Sequence, residues 1–193
     1  MSKRKIRRAP QKFLAPEVLE ATARMTLDLL SQAGIKGAVA GGYAMQIYGS
    51  PRLTGDVDLV VERVLGKSES LEPVKVITFG GKQYKTPQGV EVDLIDRKDH
   101  FRALYQEALE SSVVTDDGLQ VLSPEYLAVA KFVAGRPKDE DDLVWLLQQK
   151  GLVDRPAALE IVERLVGGQF AREALRSFVD EADWRSERER KKS

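Results

Sequence analysis

The sequence predicts an α/β (α+β) chain in which a small mixed β-sheet is flanked by helices and followed by a C-terminal helical region. Three observations carry this. Short apolar runs bounded by glycine or acid recur at 35–40, 57–61 and 90–95. An amphipathic stretch precedes them, and from Ser123 onward the periodicity is helical throughout.

Ala15 to Ala33 reads as the first helix, with Val18, Leu19, Met25, Leu29 and Leu30 at helical spacing and Gly34 at its stop. Ile35 to Ala40 reads as a buried strand and Tyr43 to Tyr48 as a short helix. Val57 to Val61 is a second strand, and Gly66 to Glu72 a surface loop. Val74 to Phe79 is a third strand candidate, punctuated by Gly80-Gly81. Gln83 to Thr86 and Val90 to Ile95 are two more, joined by Pro87-Gln88-Gly89. His100 to Leu109 is helical with Asp99 as its expected N-cap. Short extended pieces fall at Val113-Val114 and Leu119 to Leu122. Ser123 and Pro124 open the helical part. It continues over Asp139–Gln149, Pro156–Val166 and Phe170 to about Trp184, with glycines between. The expected organisation is a core over 13–122, a helical region over 123–185, and basic, disordered tails at 1–12 and 186–193.

Composition excludes several classes of function. There is no cysteine among the 193 residues, which removes disulfides, thiolate zinc sites and cysteine nucleophiles. That fits a reducing cytoplasm, the expected location. Lys plus Arg equals Asp plus Glu at 30 each, so no global charge draws the chain to nucleic acid or membrane. No apolar run is long enough to span a bilayer, and the basic N-terminal stretch lacks the apolar segment of a secretory signal. The basic ends read as solvated tails; contact with RNA phosphates is the alternative.

One segment is dense in chemistry: Gly41-Gly42-Tyr43-Ala44, then Tyr48-Gly49, then Arg52-Leu53-Thr54-Gly55-Asp56-Val57-Asp58-Leu59. Residues two apart on a strand share a face, so Asp56 and Asp58 project together. Paired carboxylates repel unless a cation lies between them. Mg²⁺ suits such oxygen ligands and leaves room for phosphate. Asp93, set among apolar residues on a neighbouring strand, is the expected third ligand, with Glu91 as its understudy. Three carboxylates can hold two metal ions about 3.5–4 Å apart. Gly41-Gly42 at a strand–helix junction would let backbone approach a phosphate.

The run Gly41-Gly42-x-Ala44…Tyr48-Gly49…Arg52-x-Thr54-x-Asp56-x-Asp58-Leu59 resembles the polymerase-β-like nucleotidyltransferase superfamily. It looks closest to the branch of the AbiEii-type toxin and related minimal bacterial nucleotidyltransferases. Many superfamily members have Gly-Ser where this chain has Gly41-Gly42. The downstream block Lys131-x4-Arg136-x-Lys138-Asp139-x2-Asp142-Leu143 resembles the same branch.

The resemblance implies the nucleotidyltransferase fold, Mg²⁺ (two ions) and a nucleoside triphosphate (NTP) substrate. It implies Asp56, Asp58 and Asp93 as catalytic metal ligands, and Gly41, Gly42, Arg52, Thr54 and Lys131 around the nucleotide. Lys131 would be the triphosphate contact, and Asp139 or Asp142 a supporting acid. The acceptor would be an RNA or tRNA end or a protein hydroxyl, and the chain the toxin of a toxin–antitoxin pair with an antitoxin partner. A non-catalytic nucleotide-binding or antitoxin-like module and an antibiotic nucleotidyltransferase are the alternatives. Read as residues alone, Arg52 pairs with either a carboxylate or a phosphate. His100 is structural, and Trp145 and Trp184 fit helix packing.

Overall fold

The computed structural model describes residues 13–191. Seven strands form one mixed sheet: β1 (Gly37–Ala40), β2 (Asp56–Val61), β3 (Glu72–Val76), β4 (Lys82–Lys85), β5 (Glu91–Ile95), β6 (Val113–Val114) and β7 (Gln120–Val121). Their order is β3-β4-β5-β2-β1-β7-β6. The central pair, β2 and β5, is parallel, and β1 lies antiparallel to β2.

Seven α-helices accompany the sheet: α1 (Pro16–Gln32), α2 (Gly41–Ile47), α3 (Arg102–Glu110), α4 (Pro124–Ala134), α5 (Pro137–Gln148), α6 (Arg155–Val162) and α7 (Gly168–Arg190). The strand period of two gives β2 two different faces. Val57, Leu59 and Val61 are buried on one. This face meets α1, where Leu27 and Leu30 close on Gly37, the partner of Val61. Asp58 and Val60 project from the other, toward α3 and α4. Side chains of the sheet and of the helices from α4 onward belong to one continuous core.

Several expected boundaries move. The short helix begins at Gly41 and takes in the glycine pair. Glu72 belongs to β3 instead of the preceding loop. Asp99 does not cap α3, which starts at Arg102; its carboxylate instead accepts the Phe101 backbone N–H at 3.1 Å and holds Arg97. A π-helical turn, Glu163–Gly167, interrupts the segment read as one helix over 156–166. The expected disorder from 186 is corrected as far as Arg190, because α7 runs on to that residue. Pairing one turn apart supports this stretch: Arg185 reaches Glu181, and Ser186 Oγ donates to Ala182 O at 2.8 Å. Residues 1–12 and 192–193 lie outside the described residues. Trp145 packs on the core as expected, but Trp184 is 54% exposed with the Arg188 guanidinium 4.6 Å from its ring centroid. No helix among the described residues is long and apolar enough to cross a membrane.

Candidate active site

The site begins with the register of the two parallel strands. Asp58 stands directly opposite Asp93, and Asp56 directly opposite Glu91. Because β2 and β5 are hydrogen-bonded neighbours, Asp58 and Asp93 meet side by side on one sheet face. Asp56 shares that face one pleat further along. The alternation Val92–Asp93–Leu94 buries the two apolar residues on the opposite face and leaves Asp93 partly exposed.

Each acid has a distinct environment. Burial raises the Asp58 carboxyl to about 6, and the charges of Asp56 and Asp93 push the same way, against Lys131 and Arg136. Burial also raises Asp93; the hydrogen bond from Gln83 opposes it, while Asp56 and Glu91 add to it. Gln83 Nε2 donates to Asp93 Oδ1 at 2.8 Å. Sequence reasoning missed Gln83, although it pairs with Asp93 across β4 and β5 and shares its face. Thr54 is buried, and its hydroxyl donates to Asp56 Oδ1. This places Thr54 as a support for Asp56.

The packing of the site imposes its own requirement on the glycine pair. A Cβ on Gly41 would fall 1.8 Å from Asp58 Oδ2, and the residue sits at φ +60°. A Cβ on Gly42 would fall 2.6 Å from Thr54 Oγ1. The missing side chains leave space that Asp58 and Thr54 fill. Gly41→Ala therefore combines a left-handed backbone, costing roughly 1–2 kcal/mol, with a steric collision that displaces Asp58. Its expected signature is a melting temperature lower by several degrees. Melting at the wild-type temperature would show that α2 and β2 do not hold this spacing.

The downstream block forms a buried ion network. Lys131 Nζ lies 3.0 Å from Asp139 Oδ1 and 2.7 Å from Asp142 Oδ2, with Lys131 only 4% exposed. Arg52 pairs with Asp142, and Arg136 with Asp139. Burial works to raise Asp139, but the Arg136 hydrogen bond and then Lys131 outweigh it, so its carboxyl is lowered. Lys131 thus has both carboxylates as partners inside the protein, and Arg52 takes the carboxylate option of its two readings. Arg136 is the more accessible cation, with its side chain 61% exposed and its charge lowering the Asp58 carboxyl. His100 is exposed, its ring tilted 46° against that of Phe101 with centroids 3.9 Å apart, and it does not line the cleft over Asp58 and Asp93.

A cleft of about 320 Å³ opens over these groups. Its lining includes Gly41, Asp58 and Asp93, the ion-network residues Lys131, Arg136 and Asp139, and Phe79, Arg97 and Tyr105. The Arg97 guanidinium is 4.3 Å from the Phe79 ring centroid and 5.0 Å from that of Tyr105. This aromatic wall gave no periodic signal in the sequence, because its members come from a turn, a loop and a helix.

No three His, Asp or Glu side chains among the described residues already stand close enough to enclose an ion. The donor chemistry still fits a hard cation. The donors are carboxylate oxygens, two of them belong to residues in register on adjacent strands, and burial, then the neighbouring carboxylates, disfavours their charged forms.

The chain matches no family model and no curated protein. Among solved structures it is similar to an antigenic nucleotidyltransferase-like protein from Paracoccidioides brasiliensis, at 21% identity over 86% of this chain and 91% of that one, with a TM-score of 0.45. It is also similar to the antibiotic-resistance factor ANT(2'')-Ia, at 13% identity over 91% and 99% of the two chains, TM-score 0.43. A third is the Thermotoga maritima CCA-adding enzyme complexed with tRNA, at 13% identity over 89% of this chain and 53% of that one, TM-score 0.34.

Proposed function

We propose that this chain is a nucleotidyltransferase of the polymerase-β-like superfamily, moving a nucleoside monophosphate from an NTP to an acceptor hydroxyl. The observation that carries the reading is the in-register pair Asp58 and Asp93, placed in a cleft that also holds the Arg136 cation. The residue pattern around Asp56 and Asp58 supports the superfamily, and the Lys131 to Asp142 block favours its AbiEii-type branch, hence a toxin role.

Residues 13–122 form the catalytic core in this reading, and 123–185 the helical region that closes the cleft. Asp56, Asp58 and Asp93 hold Mg²⁺. Bound there, the metal supplies neutralisation of the leaving pyrophosphate and a lowered pKa for the attacking hydroxyl. The protein's own groups do the rest. Gly41 leaves Asp58 room, Thr54 and Gln83 fix Asp56 and Asp93, and Arg136 meets the triphosphate charge.

The acceptor is sought among RNA and tRNA ends, protein hydroxyls and antibiotics. Wild-type protein is incubated with Mg²⁺ and each α-labelled NTP, together with total RNA, cell lysate or common antibiotics. Label is expected in one pool, dependent on both Mg²⁺ and Asp58. Label in no pool, with no binding of any NTP, would sink the transferase reading; NTP binding without transfer would favour a non-catalytic nucleotide-binding module.

A further inference from the structure

We propose that Phe79 is the stacking platform for the nucleobase of the nucleotide in the carboxylate cleft. The inference rests on the nucleotidyltransferase reading and adds the residue that holds the flat end of the substrate.

The backbone around Phe79 is built to place it. Gly80 and Gly81 both adopt φ +116°, a conformation L side chains rarely take. A Cβ on Gly80 would fall 2.2 Å from the Asp96 carbonyl oxygen, and one on Gly81 2.1 Å from that of Leu94. The turn is therefore wedged against the end of β5, the strand that carries Asp93. It is latched there by Lys98 N–H donating to Phe79 O at 3.0 Å and closed by Gly80 N–H donating to Ile77 O at 3.0 Å.

At the tip of this fixed turn stands a large aromatic side chain, 40% exposed. Its support is equally fixed. Arg97 sits 4.3 Å from the Phe79 centroid and is held by Asp99 through contacts of 3.0 and 2.6 Å. The Arg97 side chain is only 9% exposed. A ring backed by an immobilised cation and open toward a cleft is a stacking surface.

The same cleft also carries the carboxylates of Asp58 and Asp93 and the Arg136 cation. A ligand matching the whole cleft has a polyanionic end and a flat aromatic end. A nucleoside triphosphate has both. Stacking tolerates any base because every base has a π-face.

The test measures binding by calorimetry in Mg²⁺, using non-hydrolysable ATP and CTP analogues and, separately, inorganic tripolyphosphate. Phe79→Ala is expected to weaken both analogues roughly five- to hundredfold, the range lost with one base–aromatic stack, while tripolyphosphate binds as to wild type. Phe79→Trp is expected to retain analogue affinity. Unchanged analogue affinity in Phe79→Ala, or an equal loss for tripolyphosphate, overturns the assignment. If the wild type binds neither analogue, the nucleotidyltransferase reading falls and takes the stacking role with it.

Discussion

Asp58→Asn is expected to abolish transfer while raising the melting temperature of the ligand-free protein. Burial first, then Asp56 and Asp93, lift the Asp58 carboxyl from 3.8 to about 6. A carboxyl raised on folding binds its proton more tightly in the native state. Its contribution therefore favours the fold below about pH 4, declines as pH rises through about 6, and remains a penalty at neutral pH. That penalty is roughly 1–3 kcal/mol, which Asn removes. The variant should melt on the order of 5 °C higher at pH 7.5 without ligand, and the difference should shrink below pH 4. Activity should move the opposite way, by a thousandfold or so, as when one group that stabilises transition-state charge is lost. Melting scans from about pH 3 to 8, spanning both the unfolded and the folded value of Asp58, check both halves beside label transfer. A variant that is both less stable and inactive would make Asp58 a structural acid.

Lys131→Ala is expected to destabilise the protein. Its ammonium group is the shared partner of Asp139 and Asp142, which are 0% and 4% exposed. Removing it leaves Asp139 with Arg136 and Asp142 with Arg52 as remaining partners, so the cost reaches at most the roughly 3–5 kcal/mol of a broken buried pair. The melting temperature should fall by at most roughly 6–20 °C. Lys131 lines the cleft beside Asp58 and Asp93 as well, so the triphosphate contact expected from the sequence is measured separately, as NTP affinity of the folded variant. Normal melting would contradict the structural role of the ammonium group.

The contrast between these two residues shows what was legible in the sequence. The acids of β2 and β5 could be read because a strand has a period of two, and an acid among apolar residues marks a special face. Their matching across strands needed only that the two strands be neighbours. The ion partners of Lys131 were not legible, because they arrive through the packing of α4 against α5, and no local pattern encodes that approach. The glycine pair was legible as important, but its steric role was not. Only the approach of α2 to β2 places Asp58 where a Gly41 side chain would be. The run of α7 to Arg190 was hidden because its last turns are polar on every side. The Arg97 cluster depends on a turn, a loop and α3 converging, and had no signal beyond the Gly80-Gly81 pair.

The reading of Asp58 and Asp93 as a paired metal site is tested most directly by anomalous scattering. Crystals grown with Mn²⁺ and a non-hydrolysable NTP analogue would be measured at the manganese edge. The account requires a peak bounded by the carboxylates of Asp58 and Asp93, with the triphosphate beside it in the same cleft. No peak there, or a nucleotide bound elsewhere on the protein, would contradict it.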